Sequence, residues 1–599
     1  MTLRLLVVSA VAAFNLCHAL GAQTPFSTFA GNVEELWDLD AQPTVNGTEQ
    51  LIFESVSSLL QQWPNTRYRN GHNLVPGHIP AGTLLYHGRR DPILPTTPEW
   101  TATDPEHSLL FCRSIEGTGC WHLTLVTTRP LKVLYFDGSS AAKMASGSMD
   151  SQDIVAWGKV SPERFFDEFN RIYDLCNWAK KVGYDGLVRM EMDFEVMLCD
   201  FTAGVKVESF LNLESGADDG PPRPPRHHNE DNWRVYPPSP PPPRRGGHHP
   251  PPAPGFGHEH RGLPERHSLR GPSRRARADF EVILAGARHN RFPGESRIKL
   301  DLSRLVSFYD TNLVPSLVEA RFNATTNRMK HRLQHRLEGI SRSDLASVMQ
   351  RLETPLQPHD THAEGSGVDW FTLFRVIKDR FADRLEVIRD ILNATQTDLD
   401  EPAYTVHTQL SAATHPYILY TLNTTSRFTG FANSSVEWAA PAYEACAVTH
   451  TRHISSMSAL TESEELLLRA AQQTTKEICR TVTRMWAKGV SVGLYTDSED
   501  GDIDREELEI VVTEWKAEIE RLMDWLDWNV WLKCRPACGF GEMCYLPTWP
   551  LFGRFGEGAG RQMDAGPGPG RPPKGPRFPA PPEPAEARDP QPSCRRILY

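Results

Sequence analysis

Between Asp218 and Ser273 the chain is crowded with Pro, Arg, His and Gly, as in Pro237-Pro-Ser-Pro-Pro-Pro-Pro-Arg-Arg-Gly-Gly-His-His249. Such a stretch cannot bury enough apolar surface to offset the entropy of ordering it, so it reads as a disordered linker, partly extended as polyproline II. It divides the chain. Residues 1–22 read as a signal peptide, 23–76 as an N-terminal extension, 77–216 as an α/β domain, 217–278 as the linker, 279–550 as a helical domain and 551–599 as a second Gly/Pro/Arg-rich, disordered tail. The predicted fold class is α+β: an N-terminal mixed sheet domain with packed helices, then a mainly helical C-terminal domain. With 48 prolines in 599 residues and a mean hydropathy of −0.44, a good part of the chain is not core.

The N-terminus argues for export. A cationic start ending at Arg4, an apolar run from Leu5 to Leu16, and the small residues Ala19, Gly21 and Ala22 make a signal peptide cleaved between Ala19 and Gln23. A membrane anchor needs about 20 apolar residues, and this run is interrupted by Asn15 and His18. Asn46, Asn323, Asn393, Asn423 and Asn433 each open an Asn-x-Ser/Thr glycosylation acceptor. Of the 11 cysteines, Cys17 leaves with the signal peptide, and the even remainder suits full pairing in an oxidising compartment. Close spacing favours Cys112 with Cys120 and pairs among Cys534, Cys538 and Cys544; a zinc site is the rival reading of the latter cluster. The linker ends at Arg274-Arg-Ala-Arg277, a place for a secretory-pathway protease to cut. The net charge of −11 offers no general footprint for nucleic acid.

Short runs rich in β-branched and aromatic residues, Gly82 to His87, Trp121 to Thr127, Lys132 to Phe136, Phe194 to Cys199 and Val205 to Phe210, predict strands. Phe165, Phe169, Ile172 and Trp178 recur at helical spacing between Pro162 and Lys181. Further on, Phe374, Ile377, Phe381, Leu385, Ile388 and Leu392 form one apolar stripe, and Thr461-Glu-Ser-Glu464 is a capping box. The tryptophans Trp515, Trp525, Trp528 and Trp531 read either as core or as a surface for carbohydrate or a partner.

The pattern from Val188 to Val196 alternates strictly. As one strand it sets Arg189, Glu191, Asp193 and Glu195 on one face, either as a solvated edge or as carboxylates raising one another's pKa in a cleft. A glycosidase using Glu191 or Glu195 is a third reading. Tyr86-His87-Gly88, the run from Trp100 to Phe111, and Gly183-Tyr-Asp-Gly186 ahead of Glu195-Val-Met-Leu-Cys-Asp200 resemble the order of elements in ADP-ribosyltransferase-like domains. The resemblance implies that His87 holds NAD with Tyr86 or Thr103 in support. It also implies that Glu195 stabilises a ribosyl cation, with Asp193 where many members carry Glu or Gln. Ala102-Thr103-Asp104 does not match that family's Ser-Thr-Ser. More broadly, the chain resembles uncharacterised secreted fungal proteins, which implies no activity.

The acidic run from Thr496 to Glu507 places Ser498, Asp500, Asp504 and Glu507 at ligand positions of an EF-hand loop, with Thr496 where the first Asp belongs. A weak calcium site and a plain acidic loop are the two readings. The linker histidines His227, His228, His248, His249, His258 and His260 read as solvated or as loose metal traps. No Gly-x-Ser-x-Gly, His-Glu-x-x-His, P-loop or dinucleotide fingerprint occurs. The sequence reads as a secreted glycoprotein that binds an extracellular protein or glycan at the cell surface, wall or a host interface. An enzyme acting on NAD through the first domain is the alternative. The mature chain is expected in culture medium, migrating above its sequence mass and collapsing towards it on enzymatic glycan removal. Intracellular retention with no glycan-sensitive shift would contradict this.

Overall fold

Apolar residues at alternate positions, and in places at consecutive ones, build a sheet that must be covered on both sides. The strands are β1 (Asn73–Ile79), β2 (Leu84–Arg89), β3 (Glu99–Ala102), β4 (Cys120–Thr127), β5 (Leu131–Phe136), β6 (Gly186–Met190), β7 (Phe194–Leu198), β8 (Val205–Leu213), β9 (Lys299–Leu300) and β10 (Val306–Ser307). The computed structural model describes residues 37–42, 47–112, 119–142, 147–164, 166–213, 274–323, 325–326, 328–353, 365–394, 399–418, 436–494, 504–546 and 591–597. The sheet runs β10-β1-β5-β6-β7-β3-β2-β4-β8, with β9 also on β1. Among the described residues only β5 and β6 pair in parallel, and their connection carries helices, as a parallel crossover requires.

The helices are α1 (Glu49–Ser57), α2 (Gln62–Arg67), α3 (Pro105–Ser108), α4 (Asp150–Trp157), α5 (Glu168–Val182), α6 (Arg274–Ala287), α7 (Arg342–Glu353), α8 (Trp370–Asn393), α9 (Asp400–Thr414), α10 (Ala440–Val448), α11 (Arg452–Ser455), α12 (Glu462–Ser491) and α13 (Arg505–Leu526). On one face of the sheet Leu74, Leu134, Phe136, Leu187 and Met197 pack with Ile154, Ile172 and Leu175 of α4 and α5 and with Val348 and Leu352 of α7. On the other, Val75, Tyr135, Val188, Val196, Leu85 and Leu123 share one core with α1, α8, α12 and α13. This is the α+β class expected.

The strands and the two long helices fall close to where the pattern puts them. The stripe from Phe374 to Leu392 is buried along α8, and the Thr461 capping box opens α12 with both of its hydrogen bonds. Elsewhere the structure departs from expectation. Residues 49–76 are no extension: α1 is buried from Gln50 to Ser57, its Phe53 stacks on Phe374 at 4.7 Å, and β1 starts at Asn73 inside the sheet. The boundary at 279 fails too, because β9 and β10 pair with β1 and thereby join the first sheet. The segment expected to end the linker, Arg274-Arg-Ala-Arg277, opens α6. Phe169 is exposed on α5, whereas Trp515 and Trp528 lie in the core. The end of the expected tail forms β12 (Ser593–Arg596) against β11 (Glu542–Tyr545).

The cysteines after Cys17 pair as Cys112–Cys120, Cys176–Cys199, Cys446–Cys479, Cys534–Cys544 and Cys538–Cys594, which leaves no thiolates for zinc at the Cys534 cluster. Among the described residues no helix is long and apolar enough to cross a membrane.

A buried ion pair pins the two parts of the chain together. Lys378 Nζ of α8 lies 2.5 Å from Glu54 Oε2 of α1 and also reaches Ser57, while Glu54 Oε1 accepts from the backbone N and Nδ2 of Asn529 at 2.9 Å. Lys378→Met leaves the Glu54 charge buried without its cation and is expected to lower unfolding stability by about 3–5 kcal/mol in urea titrations. Adding Glu54→Gln to that variant should restore a large part of the loss.

Candidate functional site

The alternating run from Val188 to Val196 is not one strand. It folds back after Met190, and Glu191 N donates to Asp193 O at 3.0 Å across the turn between β6 and β7. Arg189 then faces Glu195 across the pair, with Nε 2.5 Å from Oε1, and Glu168 of α5 holds the same guanidinium at 2.8 Å. Gly286 of α6 rests on this turn. A Cβ there would sit 2.2 Å from the carbonyl oxygen of Met192, so only glycine lets the helix approach so closely. The same carbonyl accepts from Gln62 Nε2 at 2.8 Å. Beyond α6 the chain brings His289, Glu295 and Arg297 to the turn. From the other side β3 runs into α3 and delivers Asp104 and His107.

The result is a basin of carboxylates and histidines. His289 Nε2 lies 3.3 Å from Glu295, 3.4 Å from Asp104 and 3.8 Å from Asp193. Arg297 bridges Asp104 at 2.9 Å and Glu295 at 2.5 Å. His107 Nε2 stands 3.5 Å from Glu191 Oε2. Asp193 is fully buried; its Oδ1 accepts from Phe194 N at 2.8 Å, and its Oδ2 has no hydrogen-bond partner among the described residues. His107 is fully buried as well, and Glu191 is the nearest charged group to its Nε2 among the described residues. Two triads, Asp104–Asp193–His289 and His107–Glu191–Glu195, each bring their ligand atoms within 4.8 Å of one another.

Burial pushes the Asp193 carboxyl up to about 7, against the opposing pull of His107 and His289. Burial acts the other way on His107, but Glu191, Glu195 and Asp193 overcome it and raise the imidazole to about 8. Asp104 sits below the usual carboxylate range because His289 and Arg297 outweigh its burial. The basin thus holds a carboxyl and an imidazole that both change charge near neutral pH.

Among the residues expected from sequence, Tyr86, Thr103, Asp193 and Glu195 meet here. Tyr86 pairs with Ala102 and Ala102 with Glu195, so Tyr86 and Glu195 share a face. The Tyr86 hydroxyl is raised by burial and by the Asp104 and Glu106 charges, against the Arg297 charge. Thr103 Oγ1 is spent on Phe194 O at 3.1 Å, and its carbonyl accepts from Arg297 Nη1 at 2.6 Å. His87 is not part of the basin. One residue on from Tyr86, it points through the opposite face, where Nδ1 contacts Trp100 O at 2.6 Å and Nε2 lies 3.0 Å from Glu99. The His87–Glu195 pair that the resemblance implies is therefore not assembled, and Glu195 is committed to Arg189. Sequence reading missed Asp104, His107, His289, Glu295 and Arg297 as members of the site. Beside the basin, Ser108 Oγ lies 2.8 Å from His122 Nε2, under the Tyr86 ring.

The other expected sites stand apart. Asp504 caps α13, accepting from Glu506 N at 2.9 Å, and Glu507 is exposed; Ser498 and Asp500 lie outside the described residues. Asn323 and Asn393 are exposed, while Asn46, Asn423 and Asn433 fall outside the described residues.

Residues 38–123 and 120–234 match the family described as YPL277C N-terminal domain. The uncharacterized protein YOR389W of Saccharomyces cerevisiae is 27% identical over 573 residues, spanning 86% of this chain and 84% of that protein. The uncharacterized protein YPL277C of the same yeast is 34% identical over 209 residues, 27% of this chain and 42% of that protein. No solved structure matches the chain.

A carboxyl whose pKa is raised on folding holds its proton more tightly in the native state. Its contribution is therefore most favourable below the unfolded pKa near 4 and is lost as pH rises through about 7. Asp193→Asn should flatten the fall in stability between those values and leave chelator-treated protein more stable than wild type at pH 8. Chemical denaturation across pH checks this; parallel profiles would mean that Asp193 ionises freely in the fold.

Proposed function

We propose that the chain is an exported, disulfide-locked glycoprotein that works by binding, and that its recognition centre is the basin around Asp193. The observation that carries the reading is a fully buried carboxylate with one oxygen unpartnered, set among further carboxylates and two histidines. Burying a charge without full compensation costs several kcal/mol, so such an arrangement is poorly explained by stability alone. Arg297, 31% exposed, stands at its outer side, so the basin communicates with the surface. An excess of carboxylates over arginines suits a cationic ligand, or a cationic group on a cell-surface or wall component. Pairing of the cysteines after Cys17 supports residence in an oxidising compartment.

An NAD-directed transferase is not favoured, because His87 and Glu195 lie on opposite faces of the sheet. Acid–base chemistry at the basin is the second reading, favoured by Asp193 and His107 being moved to about 7 and about 8.

Purified secreted chain should be retained by isolated yeast cell walls, and Asp104→Asn with Glu191→Gln should release it. Glu208→Gln, on the exposed edge strand, is the control. Equal retention of wild type and the basin variant would remove the basin as the recognition centre.

A further inference from the structure

The distances about His289 do not describe a finished hydrogen-bond network. Strong N–H···O contacts run from about 2.7 to 3.2 Å, and charge-assisted ones are shorter still. His289 Nε2 instead stands 3.3, 3.4 and 3.8 Å from three different carboxylates, and its hydrogen bond with Asp104 Oδ2 is long at 3.4 Å. Ligands held about 2.1 Å from a tetrahedral ion lie roughly 3.4 Å from one another; His289 Nε2 stands 3.4 Å from Asp104 and 3.8 Å from Asp193. We propose that Asp104, Asp193 and His289 bind a divalent cation of the zinc class.

Two features support the ion beyond the acidic cluster. Among the described residues Asp193 Oδ2 is buried without a partner, whereas Oδ1, the oxygen 3.8 Å from His289, is satisfied by Phe194 N. The positive charge already present is also placed to one side: Arg297 spans Asp104 and Glu295 and makes no ion pair with Asp193. One imidazole with two carboxylates is a nitrogen and oxygen set suited to zinc and its borderline neighbours, whereas calcium and magnesium favour oxygen alone. Glu295 Oε2, at 3.3 Å from His289, is placed to be a fourth ligand if Arg297 swings outward. The three ligands come from the β3–α3 connection, the β6–β7 turn and the residue pair after α6, each tied down by backbone hydrogen bonds such as Gln62 N to His289 O at 2.9 Å. Such anchoring limits the reorganisation that binding requires.

This inference rests on the basin being the recognition centre and names its ligand class. Titration of the full chain with zinc chloride by calorimetry tests it. The background should carry serine at the linker histidines His227, His228, His248, His249, His258 and His260, so that loose capture there does not count. Asp193→Asn and His289→Gln in that background are expected to weaken zinc at least about tenfold and to abolish the visible absorption of a tetrahedral cobalt substitute. His289 is partly exposed, so its variant keeps the test valid even where Asp193→Asn destabilises the fold. If all three proteins behave alike, whether each binds or none does, the metal assignment falls. Cell-wall retention that persists in such a case leaves the binding reading standing, whereas zinc bound without retention would sink the binding reading alone.

Discussion

A sheet that is apolar on both faces cannot stand with only one of them covered, and this requirement organises the molecule. In β6 and β7 every residue is buried, because Val188 and Val196 look one way and Leu187 and Met197 the other. Helices α4 and α5, carried by the parallel crossover from β5 to β6, cover one face together with α7 from beyond the Pro-rich segment. The second face is closed by α1 together with α8, α12 and α13, which come from both sides of the Pro-rich segment. The Glu54–Lys378 pair sits within that closure. Asn529 and Ser57 complete its hydrogen bonds, and burial still outweighs the Glu54 attraction at Lys378, so the pair adds orientation to a contact whose energy is apolar.

Once the sheet is covered in this way, the division of the chain by composition ceases to be a division in space. The Pro/Arg/His/Gly stretch lies outside the described residues, and its reading as a linker rests on composition alone. It says nothing about whether the flanking parts pack together. Strands β9 and β10 are two residues long each, too short to leave a periodic trace, yet they extend the first sheet from beyond the linker. Long helices behaved differently, since α8 and α12 repeat their apolar spacing over many turns and declare themselves without tertiary context.

The candidate site shows the same limit at closer range. In the β6–β7 hairpin, cross-strand partners such as Met190 with Phe194 and Arg189 with Glu195 are separated by an even number of positions. A three-residue turn therefore preserves the alternation, and a period-two pattern reads identically whether the chain runs on or doubles back. The acidic face was legible; its folding back was not. The same parity separates Tyr86, which shares a face with Glu195, from His87, which does not. His289 and Arg297 had no local signature at all. Their part in the basin follows from α6 settling on Met192 over Gly286, a contact between segments nearly a hundred residues apart.

The disulfides add a final step. Cys112–Cys120 and Cys176–Cys199 lie before the linker, and Cys446–Cys479, Cys534–Cys544 and Cys538–Cys594 after it, so no bond joins the two halves covalently across it. A cut within the linker would leave the halves held by the shared core, the β1 pairings with β9 and β10, and the Arg297 contacts to Asp104 and Thr103. The basin would survive such a cut intact. Neither half could form that basin alone, because the first supplies Asp104, His107 and Asp193 and the second supplies His289, Glu295 and Arg297. The basin is therefore a readout of correct assembly: it exists only when the sheet has received its cover from the far side of the linker.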